Sequence, residues 1–258
     1  MIKRIQISNI IALIITIVIN YFSNTGAINN NTMASVSMKY QNLFTPSGYA
    51  FSIWGVIYLF LIAFVIYQSK GLFSNEEPHS VVRKIGWWFV ISCVANSIWV
   101  FVWLYEFTGL SVIVMVVLLF SLVKIVRNTR MELDLIAPKR IALEWWPFAI
   151  YIGWISVALI ANIAAYLTKL EWNGFGLPNV YWAIIMICIA GIVNIIMIWE
   201  RNLRESAMVG IWALVAVAHA NQYGIPNIAQ TALAISVIIF INVAIHAYRN
   251  FGRHYLKG

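Results

Sequence analysis

Long apolar runs, most of them separated by short polar connections, dominate the chain. Eight of the runs approach or exceed the roughly 20 residues that a helix needs to cross a bilayer. The pattern predicts transmembrane helices near residues 7–23, 47–68, 85–105, 108–126, 143–167, 178–199, 207–222 and 228–248. Little chain remains for a soluble domain. We therefore expect an all-α integral membrane protein, folded as an eight-helix transmembrane bundle.

The basic residues indicate how this bundle is oriented. With the N-terminus in the cytoplasm, all 17 lysines and arginines except Lys39 and Lys169 fall on the cytoplasmic side. This bias is the one that the positive-inside rule describes. An even number of helices also returns the C-terminus to the cytoplasm, with Arg253 and Lys257 in a basic tail. The expected location is the plasma (inner) membrane of a bacterium.

Composition supports a membrane protein and argues against a soluble domain, a nucleic-acid-binding protein and a metal site. Of the 258 residues, 62% are hydrophobic and 10% are charged, far below the roughly 25% charged residues of soluble domains. The basic residues behind the net charge of +8 lie in the connections, at helix ends and in the two terminal segments, so we expect no nucleic-acid partner. Cys93 and Cys188 fall inside predicted helices, without the Cys/Cys or Cys/His spacing of a metal site. We therefore predict no metal ligands.

Tryptophan and asparagine mark one face on each of three predicted helices. A tryptophan deep in a span needs a partner for its indole N–H, and an asparagine amide needs partners too. If the three faces converge, they line a pocket suited to a planar, mostly apolar ligand. The alternative interpretation is that these side chains only hold helices together. The helical spacings are Phe51, Trp54 and Tyr58 in the second helix, Asn96, Trp99 and Trp103 in the third, and Trp154, Ala158 and Asn162 in the fifth.

Three short motifs follow one another along these helices. The stretch TPSGYAFSIWGVIY brings Pro46, Trp54 and Tyr58 to the start of the second helix. The third helix carries Asn96 and Trp99 in an Asn-x-x-aromatic pattern, and WISVALIAN in the fifth follows Trp-x-x-x-Ala-x-x-x-Asn. Together they resemble the TspO/MBR family, the tryptophan-rich sensory proteins that include the mitochondrial translocator protein.

The resemblance covers residues 7–170. It implies a TspO-like five-helix core at residues 1–170, followed by three additional helices and a basic cytoplasmic tail at 171–258. No cofactor is required, and the implied ligand is a tetrapyrrole, such as protoporphyrin or haem, or a sterol-like molecule. The implied ligand-binding residues are Trp54, Tyr58, Asn96, Trp99, Trp154, Ala158 and Asn162.

Two departures from the family pattern leave points open. The first external loop, SMKYQNLFTP, lacks the family's Trp-Tyr and Lys-Pro pairs, so the sequence does not decide whether this loop forms a lid. Pro147 precedes Trp154 by seven residues instead of four, which makes Tyr151 a rival for the tryptophan position.

The leading hypothesis is a membrane receptor or sensor that binds a planar hydrophobic ligand. A transporter of a hydrophobic small molecule is the alternative, and an enzyme acting on a bound tetrapyrrole is a further one. Because no Ser/His/Asp or paired-carboxylate pattern is visible, the sequence does not assign a catalytic residue. The expected partners are the lipid bilayer and the hydrophobic ligand, and Gly153, Gly191 and Gly210 would also permit a homodimer.

Overall fold

Helices account for nearly all the regular structure of the chain. A computed structural model describes residues 2–72 and 77–251. Eight long helices lie in these ranges, and shorter helical turns connect several of them. The long helices are α1 (Ile2–Phe22), α2 (Ile53–Gln68), α3 (Trp88–Leu104), α4 (Thr108–Asn128), α5 (Trp146–Lys169), α6 (Asn179–Arg201), α7 (Arg204–Asn221) and α8 (Pro226–Phe251).

Six of these helices are long and apolar enough to cross a membrane, namely α1, α2, α4, α5, α6 and α8, with α2 and α5 extended by the turns that precede them. Helix α3 is apolar but has 17 residues, and the 18-residue, alanine-rich α7 is less apolar. The protein is thus an all-helical integral membrane protein. Eight spans and cytoplasmic termini remain predictions, and Arg253 and Lys257 lie outside the described residues.

Two helices do not begin as regular α-helices where their hydrophobic runs predict. The prediction of one continuous helix at 85–105 is wrong at its beginning, because Gly86 adopts a φ of 57° between a short helix, Ser80–Ile85, and α3. The predicted helix at 143–167 begins as a wider π turn, Ile141–Trp145. Pro147 has no N–H to donate to the carbonyl of residue 143, which accounts for the irregular turn before it.

Helix α5 is at the centre of the bundle. It packs against α2, α4, α6 and α7, and its segment is 67% buried, against 28 to 39% for the other candidate spans. The helices approach closely at glycines: a Cβ on Gly153 would lie 2.6 Å from the Ser206 carbonyl oxygen of α7, and one on Gly191 would lie 2.7 Å from Ile235 of α8. Gly210 similarly contacts the Asn194 side chain. The three glycines that could serve a homodimer therefore make contacts within this chain.

Residues 24–52, which we call the lid, fold over one end of the bundle. The predicted polar loop contains a short helix, Met33–Lys39. Thr32 and Ser35 start it with a reciprocal cap, in which the Ser35 N–H donates to Thr32 Oγ1 (3.0 Å) and the Thr32 N–H donates to Ser35 Oγ (2.8 Å). Met33 and Val36 are the buried residues of this helix. The loop therefore covers the bundle as well as connecting α1 to α2.

Candidate functional site

A small, partly open cavity lies beneath the lid, among α2, α3, α5 and α7. Its volume is about 60 Å³, which is room for a few water molecules. Most of its walls are apolar or aromatic. The lining residues are Met33, Ser37, Tyr40, Phe44, Thr45, Pro46 and Phe51 of the lid, Trp54 of α2, Trp99 and Trp103 of α3, Trp154, Val157, Ala158, Ala161, Asn162 and Ala165 of α5, and Ala213 and Val217 of α7.

Trp54 is at the centre of the aromatic side chains around the cavity. Its ring centroid lies 6.4 Å from that of Trp99 at an interplanar angle of 31°, and 6.4 Å from that of Trp154 at 81°. On its other side Trp54 stacks on Tyr58, with centroids 5.6 Å apart. Offset and edge-to-face contacts of this kind are favourable beyond the area they bury. They hold flat indole faces around the cavity in fixed orientations.

Asn162 fixes one of these indoles. Trp99 Nε1 donates to Asn162 Oδ1 (2.9 Å), and Asn162 Nδ2 donates to Ser111 Oγ of α4 (2.8 Å). All three side chains are buried. Each bond therefore satisfies two polar groups that would otherwise lack a partner in an apolar environment. The sequence-based expectation that span asparagines serve as partners for buried indoles is confirmed for this pair. The Trp99 N–H is consequently used by the protein itself.

Two buried donors beside Trp54 have no protein partner. Trp154 lines the cavity and is 3% exposed, and its Nε1 makes no hydrogen bond. The Tyr58 hydroxyl is also buried and without a partner. An unmet donor in an apolar interior costs free energy, and a ligand that carries acceptor atoms would satisfy it.

The structure brings five of the seven predicted ligand-binding residues into the cavity lining: Trp54, Trp99, Trp154, Ala158 and Asn162. Tyr58 instead lines a neighbouring cleft of about 440 Å³ between α1, α2 and the lid. Asn96 lies behind the wall, where it accepts from Asn20 Nδ2 (2.8 Å) and donates to the Tyr151 hydroxyl (3.0 Å). Direct ligand contacts by Tyr58 and Asn96 remain predictions.

Of the two rivals for the helix α5 position, Trp154 is the one in the cavity lining. Tyr151 lies one turn earlier, packs edge-on against Trp54 with centroids 5.8 Å apart, and supports that ring from behind. Within the ranges that the structure describes, no group of three or more His, Cys, Asp or Glu side chains could hold a metal ion.

A polar cluster at Glu106 fastens the first half of the lid. Glu106 occupies the turn between α3 and α4 with a φ of 60°, and its carboxylate accepts from Lys39 Nζ (2.6 Å) and the Tyr40 hydroxyl (2.5 Å). The bonds from Lys39 and Tyr40 lower the pKa of the Glu106 carboxyl. Burial and the same carboxylate raise the pKa of Tyr40 to about 12. The amides of Asn29 and Asn31 each donate to the Leu104 carbonyl at 2.9 Å.

Helix α7 holds the second half of the lid. The Ser47 N–H donates to the Ala216 carbonyl (3.0 Å), and the Ser47 hydroxyl lies 2.9 Å from His219 Nδ1. Four residues before Ser47, the Leu43 carbonyl accepts from Asn221 Nδ2 (3.1 Å). Trp212 Nε1 donates to the Ala50 carbonyl (3.2 Å). A helix outside the predicted five-helix core thus both lines the cavity and secures its cover.

Several lining residues were not among the predicted ones. Trp103 continues the Asn96 and Trp99 stripe, so helical spacing could have included it. The end of the lid could have been found through Pro46, which stands eight residues before Trp54 in the motif TPSGYAFSIWGVIY. Ala213 of α7 carries no chemical signature in the sequence, because small apolar residues are common throughout a membrane bundle.

Comparison with protein families agrees with this architecture. The family described as TSPO-like protein matches residues 6–245, nearly the whole chain and well beyond the core predicted at 1–170. Comparisons with curated proteins and with solved structures gave no significant match. The family match and the aromatic cavity under the first loop lead to the same conclusion: the chain belongs to the TSPO-like family.

Proposed function

We propose that this protein is a membrane receptor or sensor that binds a planar hydrophobic ligand, a tetrapyrrole or a sterol-like molecule, beneath the lid. The observation that carries the proposal is an aromatic cavity in which a buried donor, Trp154 Nε1, has no partner. Ligand sites are typically concave and largely apolar, with a few polar groups that orient the ligand. Membership of the TSPO-like family agrees with ligand binding, sensing or transport.

The size of the cavity makes the lid part of the proposal. Sites for drug-sized ligands measure about 300 to 1,000 Å³, and this cavity measures about 60 Å³. A tetrapyrrole therefore fits only if the lid segment from Met33 to Pro46 moves outwards. In this interpretation the described structure is the closed state, and the ligand stabilises a more open one. A change in lid position on binding would be the signal that a sensor passes on.

The walls indicate how a flat ligand would be held. Its faces would stack against Trp54 and Trp99, whose rings are tilted by 31° to each other. A carbonyl or carboxylate oxygen at its edge would accept from Trp154 Nε1. Asn162 would act through Trp99, because its amide holds that indole in place.

Tryptophan fluorescence tests the site. The full chain in detergent is titrated with protoporphyrin IX, comparing the wild type with Trp54→Phe. We expect saturable quenching in the micromolar range, with affinity lowered about twofold to tenfold in the variant, since a lost indole stacking contact is worth about 0.5 to 1.5 kcal/mol. Trp199→Phe is the matched control, because Trp199 lies far along α6, bonded to Asn242.

Two outcomes would contradict the proposed site. One is quenching that does not saturate. The other is an equal loss of affinity in Trp54→Phe and Trp199→Phe. A second variant, Trp154→Phe, keeps most of the ring and removes the N–H. It should weaken protoporphyrin IX binding by about 1 kcal/mol or more if an acceptor meets that donor.

Transport of a hydrophobic small molecule is the second candidate, and the surroundings of the cavity favour it. Phe44 lines both the cavity and a cleft of about 500 Å³ on one side. Met33, Phe51 and Trp54 line both the cavity and the cleft of about 440 Å³ on the other. A ligand could pass between these spaces if side chains rotated. Uptake of a fluorescent porphyrin into proteoliposomes without an ion gradient, abolished by cross-linking the lid to α4, would favour transport over sensing alone.

A further inference from the structure

A second concave site lies outside the cavity, where the lid meets the ends of α5 and α6. This site, which we call the outer cleft, has a volume of about 500 Å³. Its aromatic part is formed by Phe44, Trp172 and Trp182, and its polar rim includes Gln41, Glu171 and Asn179. It involves α6, which lies beyond the predicted five-helix core.

The two indoles of the outer cleft are held in place. Their ring centroids lie 4.8 Å apart at an interplanar angle of 58°. Trp182 Nε1 donates to the Gly174 carbonyl (2.8 Å). Gly174 has a φ of 66°, and a Cβ there would come within 2.9 Å of the same nitrogen, so only glycine allows this approach. Fixed aromatic faces attract organic cations.

Glu171 gives the cleft a negative charge, and among the described lining residues it is the one with an acidic or basic side chain. No cation of the described residues pairs with it. Lys169, two residues earlier, is directed away towards the Glu106 carbonyl (2.5 Å) and the Tyr40 ring. The exposed amides of Gln41 and Asn179 supply N–H donors on the rim. The cleft thus offers a carboxylate and indoles to a cation, and amide donors to an oxygen anion.

We propose that the outer cleft binds the zwitterionic headgroup of a phospholipid. The ammonium group would lie between Glu171 and the two indoles, and the phosphate oxygens would accept from the amides of Gln41 and Asn179. The cleft lies where α5 ends and α6 begins, and tryptophans at the ends of spans favour the depth of lipid headgroups. An acyl chain would follow α6 past Met186, which also lines the cleft. The bound lipid would press on Phe44 and so support the lid from outside.

Native mass spectrometry of the full chain in detergent tests this proposal. The protein is titrated with phosphatidylethanolamine and, separately, with phosphatidylglycerol carrying the same acyl chains. We expect the wild type to retain more phosphatidylethanolamine. Glu171→Gln should lower that retention about twofold to fivefold, as expected for one exposed cation contact. Glu200→Gln, which removes a carboxylate at the opposite end of α6, should leave it unchanged.

Trp54 does not line the outer cleft, so Trp54→Phe should not alter lipid retention. Equal retention of the two lipids by the wild type would overturn the proposal, as would equal effects of Glu171→Gln and Glu200→Gln. A third arm uses benzyltrimethylammonium, a soluble cation. If this compound binds in a Glu171-dependent way while phosphatidylethanolamine does not, the cleft is a site for soluble cations and the lipid proposal is wrong.

Discussion

Lys39 Nζ lies 2.6 Å from Glu106 Oε2, so an ion pair ties the lid helix to the turn between α3 and α4. Lys169 reaches the same turn through the Glu106 carbonyl (2.5 Å). Both ammonium groups lie close to the Tyr40 ring, at 5.7 and 5.8 Å from its centroid. The two lysines that the charge pattern predicts to be external therefore meet at one end of the bundle, where they fasten the lid.

Removing the charge of Glu106 should loosen the lid without unfolding the bundle. The pair is partly exposed, with 57% of the Lys39 and 22% of the Glu106 side chain accessible. A pair of this kind is worth about 0.2 to 1 kcal/mol. Glu106→Gln should therefore raise hydrogen exchange of residues 31–45 by up to about fivefold. Asp134→Asn removes the exposed ion pairs with Lys84 and Arg130 and should leave hydrogen exchange of the lid unchanged. An equal effect of both variants would show that the Lys39–Glu106 pair does not hold the lid.

Acid should loosen the lid. The pKa of Glu106 is lowered by its bonds to Lys39 and Tyr40. A carboxyl whose pKa is lower in the closed state contributes stability above its free value of about 4.3, and this stability is lost as the pH falls through the lowered value. Spin labels at the exposed positions Met38 and Leu110 would report the distance between the lid helix and the start of α4. We expect the fraction of molecules with a longer distance to be constant from neutral pH down to about pH 5 and to rise by up to about fivefold below about pH 4. Glu106→Gln should remove this pH dependence.

Loss of the Asn162 amide should destabilise the protein and weaken ligand binding together. Asn162→Ala leaves the buried Trp99 N–H without its acceptor and Ser111 without its donor. We expect a loss of about 1 to 3 kcal/mol, seen as a lower thermal midpoint and weaker protoporphyrin IX quenching. Asn194→Ala is the control, because the Asn194 amide donates only within its own helix, to Ala190 (2.8 Å). Similar binding losses in both variants would show that Asn162 has no special role at the site.

The packing of α5 on α7 should depend on Gly153. A Cβ there would lie 2.6 Å from the Ser206 carbonyl oxygen, which belongs to backbone and cannot rotate away. Gly153→Ala should therefore cost about 1 to 3 kcal/mol. Because α7 holds the lid at Ser47, exchange of the lid should rise as well. Gly55→Ala, where no atom lies within 4 Å of the added Cβ, should be neutral or stabilising. A neutral Gly153→Ala would rule out the close approach.

Some features of the site follow from spacing within one helix. Trp154, Ala158 and Asn162 lie four residues apart, so any helix through them places them on one face. Their joint presence in the cavity lining agrees with this rule. The rule fails for Asn96 and Trp99 as a pair: they are three residues apart, yet Trp99 lines the cavity while Asn96 bonds to Asn20 and Tyr151. A face spans about 100° of a helix, and the neighbouring helices decide which part of it borders an open space.

The sequence by itself determined the helical membrane class and indicated most of the aromatic residues that line the cavity, because apolar run length and helical spacing are local properties. Only the tertiary structure decided that the lid closes over the cavity and that α7 completes it. Ala213 and Ser47 carry no chemical signature in the sequence. Ala213 lines the cavity and Ser47 bonds to Ala216 of α7 because α7 packs closely on α5 at Gly153. Such crossings depend on contacts between residues far apart in the chain, and a single sequence does not record which residues meet.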